Sequence, residues 1–101
     1  MRMAFQVTLP IEPFNTYVKN GSAEAKIQQA LGEMKPEAVY FTEQDGHRGA
    51  FIVVNVNDAS EIPAKAEPLF VLFNAEVRMR IVMTPEDLGK AGLGEIGKRL
   101  Q

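Results

Sequence analysis

The pair Asp45-Gly46 lies between two apolar runs, in the stretch from Ala38 to Val56, AVYFTEQDGHRGAFIVVNV. A two-residue type I′ turn needs positive φ at both central positions, and Asp-Gly is one of the few pairs that accept it. That turn dictates every partner across the hairpin. Gln44 opposes His47, Glu43 opposes Arg48, Phe41 opposes Ala50, Tyr40 opposes Phe51, Val39 opposes Ile52 and Ala38 opposes Val53. Opposed residues share a face, and the faces alternate along each strand. One face then carries Val39, Phe41, Ile52, Val54 and Val56; the other carries Ala38, Tyr40, Thr42, Phe51, Val53 and Asn55. Glu43 and Arg48 would form a weak, exposed ion pair at the edge of the first face. A longer loop built on Gly46 and Gly49 is the alternative, and a one-residue slip would exchange the faces of one strand.

The rest of the chain supplies matching elements. Arg2 to Leu9 alternates, with Met3, Phe5, Val7 and Leu9 on one side, and Pro10 and Pro13 end it. Pro13 to Lys35 is helical in composition, but its two apolar stripes, Phe14/Tyr17/Val18 and Ile27/Ala30/Leu31/Met34, point to nearly opposite sides of one straight helix. A break at Asn20-Gly21-Ser22 reconciles them, with Ser22 capping the second piece. Asp58 and Glu61 have capping-box spacing before the stripe Ile62, Ala66, Leu69, Phe70, Phe73; Pro63 suits a first turn and Pro68 predicts a bend. Ala75 to Met83 alternates again, with Val77, Met79, Ile81 and Met83 on one side. Thr84-Pro85-Glu86-Asp87 starts a last helix, which Gly89, Gly92, Gly94 and Gly97 weaken, so this tail needs a surface to dock on.

The order is β-α-β-β-α-β with an extra C-terminal helix. It predicts an α+β, ferredoxin-like single domain over residues 1–101, with both main helices on one face of a four-stranded antiparallel sheet and strands one and three central. The helix-side face gathers Met3, Phe5, Val7, Leu9, Val39, Phe41, Ile52, Val54, Val77, Met79 and Ile81. The open face gathers Tyr40, Phe51 and Val53 into an apolar patch flanked by Gln6, Asn55, Arg78 and Arg80. Monomers rarely leave such a patch bare, and a twofold-symmetric pair covers it with one self-complementary surface. Tyr40, Phe51 and Val53 are the expected dimer contacts.

Composition excludes more than it assigns. A hydrophobic fraction of 46% suits a packed core. A net charge of −2, with its basic residues scattered, argues against nucleic acid as partner. There is no cysteine and one histidine, so thiol chemistry is excluded and no metal site is expected. No segment has the length or composition of a signal peptide or membrane span, and the expectation is a cytoplasmic protein.

The element order, with Tyr40-Phe41-Thr42-Glu43, Asp45-Gly46 and Met83-Thr84-Pro85-Glu86-Asp87 at these places, resembles the dimeric α+β barrel superfamily. That group includes muconolactone isomerase-like proteins, cofactor-independent antibiotic-biosynthesis monooxygenases and small stress-responsive barrel domains. The resemblance implies two sheets facing each other around a cavity that in some members takes small organic acids or aromatics, with no cofactor. It implies either a binding or structural role or a cofactor-independent isomerase or monooxygenase, and no catalytic set carries over residue by residue. Arg78 and Arg80, about 7 Å apart on one strand face, suit a carboxylate or phosphate held by bidentate hydrogen bonds. Gln6, Tyr40 and Asn55 complete the candidate ligand site. The competing reading has Glu76 neutralising the arginines. His47 is placed on the turn, where an exposed imidazole without a catalytic role is expected.

Overall fold

The computed structural model describes residues Met1–Gln101. The strands are β1 (Arg2–Leu9), β2 (Ala38–Gln44), β3 (His47–Asn55) and β4 (Glu76–Val82). They form one antiparallel sheet in the order β2-β3-β1-β4, so strands one and three are central. With helices α1 (Ile11–Asn20), α2 (Ala23–Met34) and α3 (Ile62–Phe73), this is the ferredoxin-like α+β arrangement.

The hairpin turn takes the predicted form. Asp45 and Gly46 have φ of 51° and 78°, and the β2–β3 register is the one that a two-residue turn dictates. Gly49 therefore belongs to the strand and not to the loop. A Cβ there would lie 2.7 Å from Gln44 Cβ and 2.8 Å from the Val7 carbonyl oxygen, so only glycine fits. The Glu43–Arg48 ion pair does not form. Glu43 instead accepts a 2.7 Å hydrogen bond from the Gly46 amide, and the Arg48 guanidinium lies 4.7 Å from the centre of the Phe14 ring. Glu43 is thus engaged within the turn and Arg48 by a ring of α1.

Two helix expectations also need correction. The helical segment breaks at Gly21, whose φ of 80° ends α1. But Ser22 does not cap α2: its hydroxyl donates to Asn20 Oδ1 at 2.6 Å, and its amide bonds the Tyr17 carbonyl at 2.8 Å, closing the preceding helix. Pro68 does not interrupt α3. The bond it removes leaves the carbonyl of Ala64 unpaired, and Ala64 is exposed, so water can satisfy it. Asp58 accepts from the Ser60 amide at 2.8 Å and heads a single 3₁₀ turn, Ala59–Glu61, ahead of α3.

The core lies between the sheet and α2 and α3. β1 supplies Met3, Phe5, Val7 and Leu9; β3 supplies Ala50, Ile52 and Val54; the helices supply Ala30, Met34, Ala66, Leu69 and Phe73. Phe73 packs 5.8 Å from Phe14 and 6.1 Å from Tyr17, centre to centre, and the Tyr17 hydroxyl donates to the Leu72 carbonyl. Burying each large apolar side chain stabilises the fold by about 1.5–3 kcal/mol. The helix-side set is not covered throughout: Phe41, Met79 and Ile81 on the two edge strands are exposed. The helices sit over the central strands, and both edges overhang them.

The C-terminal segment leaves the body. Thr84 and Asp87 form a reciprocal capping box that starts α4 (Pro85–Lys90), and Gly92, at φ 72°, separates α4 from α5 (Leu93–Arg99). No residue beyond Val82 is buried, and Leu88, Leu93 and Leu100 are exposed. The molecule is accordingly elongated, 61 × 28 × 18 Å, with a radius of gyration of 17.1 Å against about 13 Å for a compact chain of this size.

Candidate site on the open sheet face

The register on either side of β1 lines up residues in rows across the uncovered face. Tyr40, Phe51, Gln6 and Arg78 form one row, from β2 through β3 and β1 to β4. Ala38, Val53, Ala4 and Arg80 form the next. Thr42, Gly49, Thr8 and Glu76 form the row nearest the hairpin turn. Neighbours within a row have Cβ atoms about 4.5–5.5 Å apart. The face is thus graded: aromatic and aliphatic toward β2, amide in the middle, and charged along β4, with Glu76 beside Arg78 and Arg80. Tyr40 is 68% and Phe51 46% exposed, and Val53 is half-buried.

Four of the five expected ligand residues stand together here. Gln6, Tyr40 and Arg78 share one row, and Arg80 lies in the adjacent one. Neither arginine forms a salt bridge, since the ion pairs of the chain are Arg2–Glu37 and Lys98–Glu95. Glu76, on the same face of β4, forms no ion pair with either within the protomer. Asn55 stands apart, because its Oδ1 accepts from the Met1 amino group at 3.1 Å and its Nδ2 donates to Glu37 at 3.2 Å. Both ends of that amide are occupied at the far end of the strand, in a small network with Arg2.

His47 is exposed, as expected for the turn, yet its parity puts it on the open face. It lines a polar cleft of about 370 Å³ with Thr8, Pro10, Asp45, Asn74 and Glu76. Its Nδ1 lies 3.1 Å from the Asp45 carbonyl oxygen. A carbonyl only accepts, so in this contact Nδ1 is the donor. Sequence reasoning placed His47 by its turn and overlooked what its pairing with Gln44 implied, which is the signal that locates it.

No group of three or more His, Asp or Glu side chains is placed to hold a metal ion. Two carboxyls are held below the usual carboxylate range, and both are caps. Asp58 is lowered by its hydrogen bonds with Ser60, and Asp87 by its bonds with Thr84. No helix is long and apolar enough to cross a membrane.

No family model and no curated protein sequence matches the chain. Among solved structures, the chain is similar to the 5-chloro-2-hydroxyhydroquinone dehydrochlorinase of Burkholderia phenoliruptrix, solved in complex with 2,5-dihydroxybenzoquinone. The TM-score is 0.57 at 13% identity, over 85% of this chain and 97% of that one. A protein from Agrobacterium tumefaciens aligns over 84% of this chain and 96% of its own at 13% identity, with a TM-score of 0.38, too low to carry weight. The likeness to the dehydrochlorinase is one of fold: a four-stranded antiparallel sheet backed by helices.

Proposed function

We propose that the protein works as a homodimer whose two open faces meet and enclose a pocket for a small planar organic acid or aromatic. The row Tyr40–Phe51–Gln6–Arg78 carries this reading. It presents an aromatic floor, an amide and an unpaired guanidinium in line, and it does so on a face that water otherwise meets with exposed aromatic surface. An aromatic ring would stack beside Phe51 and Tyr40 while its anionic group meets Arg78 and Arg80. Gln6 would set its rotation through a hydrogen bond. Asn55, bonded to Met1 and Glu37 at the far end of the strand, lies outside this row.

Titration calorimetry against a panel of benzoates, hydroxybenzoates and hydroxylated quinones tests this. Micromolar binding to wild type, weakened at least tenfold in Arg78→Ala and Arg80→Ala, supports it. A panel that binds all three proteins equally, or none of them, removes the pocket.

A second reading is a cofactor-independent enzyme, an isomerase or monooxygenase acting on the same class of compound. The exposed imidazole of His47 favours it, because it lines one polar cleft with Thr8 and Glu76 and could move a proton at the rim of the pocket. Turnover of a bound aromatic that His47→Gln abolishes without changing its affinity would select this reading over simple binding.

A further inference from the structure

We infer that a second ligand site lies on the helix side of the sheet, and that it takes a medium-chain alkyl carboxylate whose head meets Arg48. It depends neither on the dimer nor on the open-face pocket. Where β2 overhangs the helices, a groove of about 280 Å³ remains. Leu9, Phe14, Ile27 and Phe41 form its apolar walls, and the only polar side chains lining it are Thr42 and Arg48. The same four apolar residues also border a space of about 20 Å³ that reaches Ala30, Leu69 and Phe73 of the core and has a wholly apolar lining. A space of that size holds one water-sized group, and such a lining offers water no partner. It suits a terminal methyl and excludes a ring. The larger groove has room for a chain of roughly eight carbons, at about 30 Å³ per water-sized group.

The charge beside this groove is uncommitted. Arg48 is exposed and forms no ion pair. Its guanidinium rests 4.7 Å from the centre of the Phe14 ring. That contact acts through the charge and the ring face, so the N–H fork stays available for a carboxylate. The acid opposite Arg48 in register is Glu43, which is bound to the Gly46 amide. A carboxylate so near the guanidinium favours a ligand with one negative charge over a dianion such as a phosphate monoester. The competing occupant is the C-terminal arm of a second copy, whose Leu93 and Leu100 are exposed. A helix with its side chains is about 10–12 Å across. It would lie over the groove without entering the narrow inner space.

The test titrates the full, ¹⁵N-labelled chain with sodium octanoate, with octanol as control. Octanoate should shift the amides of Ile27, Thr42 and Gly49 and leave those of Gln6 and Arg78 unmoved. Affinity should rise about fourfold per methylene from butanoate to octanoate and level off once the groove is filled. Arg48→Gln, at an exposed position outside the core, should weaken octanoate at least tenfold and leave octanol unchanged. Glu43→Gln, which keeps an acceptor for the Gly46 amide, should tighten octanoate several-fold. Equal affinity of the unmodified chain for octanoate and octanol overturns the charged head, as does an Arg48→Gln chain that binds octanoate as before. Weaker octanoate binding in Glu43→Gln contradicts the placement of the carboxylate. No response at Ile27, Thr42 and Gly49 overturns the groove. Shifts confined to Gln6 and Arg78 overturn the groove and leave the open-face pocket in place. Groove amides that move on dilution without ligand, and cease to do so in Leu93→Ser/Leu100→Ser, give the groove to a second copy's arm and overturn the ligand.

Discussion

Phe51→Ser separates the pairing surface from the fold. The ring points away from the helices and is 46% exposed in the isolated protomer. A phenylalanine side chain presents roughly 200 Å² when fully exposed, so close to 90 Å² remains to be covered by a partner. At about 25 cal/mol per Å², covering it contributes about 2.3 kcal/mol per copy, and the symmetric dimer contains two copies. Serine at position 51 should therefore weaken dimerisation by about 4–5 kcal/mol, roughly a thousandfold or more in the dissociation constant. The protomer itself should lose at most about 2–3 kcal/mol, because the roughly 110 Å² of the ring already covered is lost at about 25 cal/mol per Å², while β3 keeps its ladder on both sides. Isothermal dilution calorimetry measures the first quantity, and urea unfolding extrapolated to low protein concentration measures the second. A dissociation constant within tenfold of wild type refutes the assignment of this face to the interface. A loss well above about 3 kcal/mol from the dilute protomer refutes the claim that the ring lies outside the core.

Gly49→Ala, which would put a Cβ against the Val7 carbonyl and Gln44, should destabilise the protomer by about 2–3 kcal/mol; a melting temperature equal to wild type contradicts it. Phe73→Ala removes the ring that Phe14 and Tyr17 pack against and should cost about 3–5 kcal/mol by chemical denaturation. Asp87 bonds Thr84 in its charged form, so its folded pKa lies below the ordinary 3.8. The cap is then intact above that pH and is lost as pH falls through the lowered value, and the Thr84 amide resonance should titrate with a midpoint below 3.8. A midpoint at or above 3.8 would mean that the bond is absent in solution. Arg78→Lys keeps the charge but loses the planar fork, and should bind benzoate several-fold more weakly than wild type in titration calorimetry.

Much of this architecture is legible because one turn propagates. Once Asp45 and Gly46 are required to have positive φ, parity assigns every residue of β2 and β3 to a face, and alternation in β1 and β4 extends the assignment across the sheet. The composition of the open face, and the gathering of Gln6, Tyr40, Arg78 and Arg80 on it, follow from that. Parity does not say how much of a face two helices cover, which is why Phe41, Met79 and Ile81 fall on the helix side yet stay exposed. Parity puts Asn55 on the same face, but its partners, Met1 and Glu37, are brought to it only by the folded strand ends. Pro68 signals a break locally, but the packing of Ala66, Leu69 and Phe73 holds α3 together across it. The exposed tail was foreshadowed by its four glycines, and the structure adds that Leu88, Leu93 and Leu100 project from the body.

The mass of the unmodified chain in solution, from sedimentation equilibrium at micromolar concentration, bears most directly on the whole account. Twice the 11.2 kDa of one chain, returning to a single chain in Phe51→Ser, is the predicted outcome. A wild-type protein that stays at 11.2 kDa would leave the aromatic face open to water, and with it the pocket and its arginines would have no second wall.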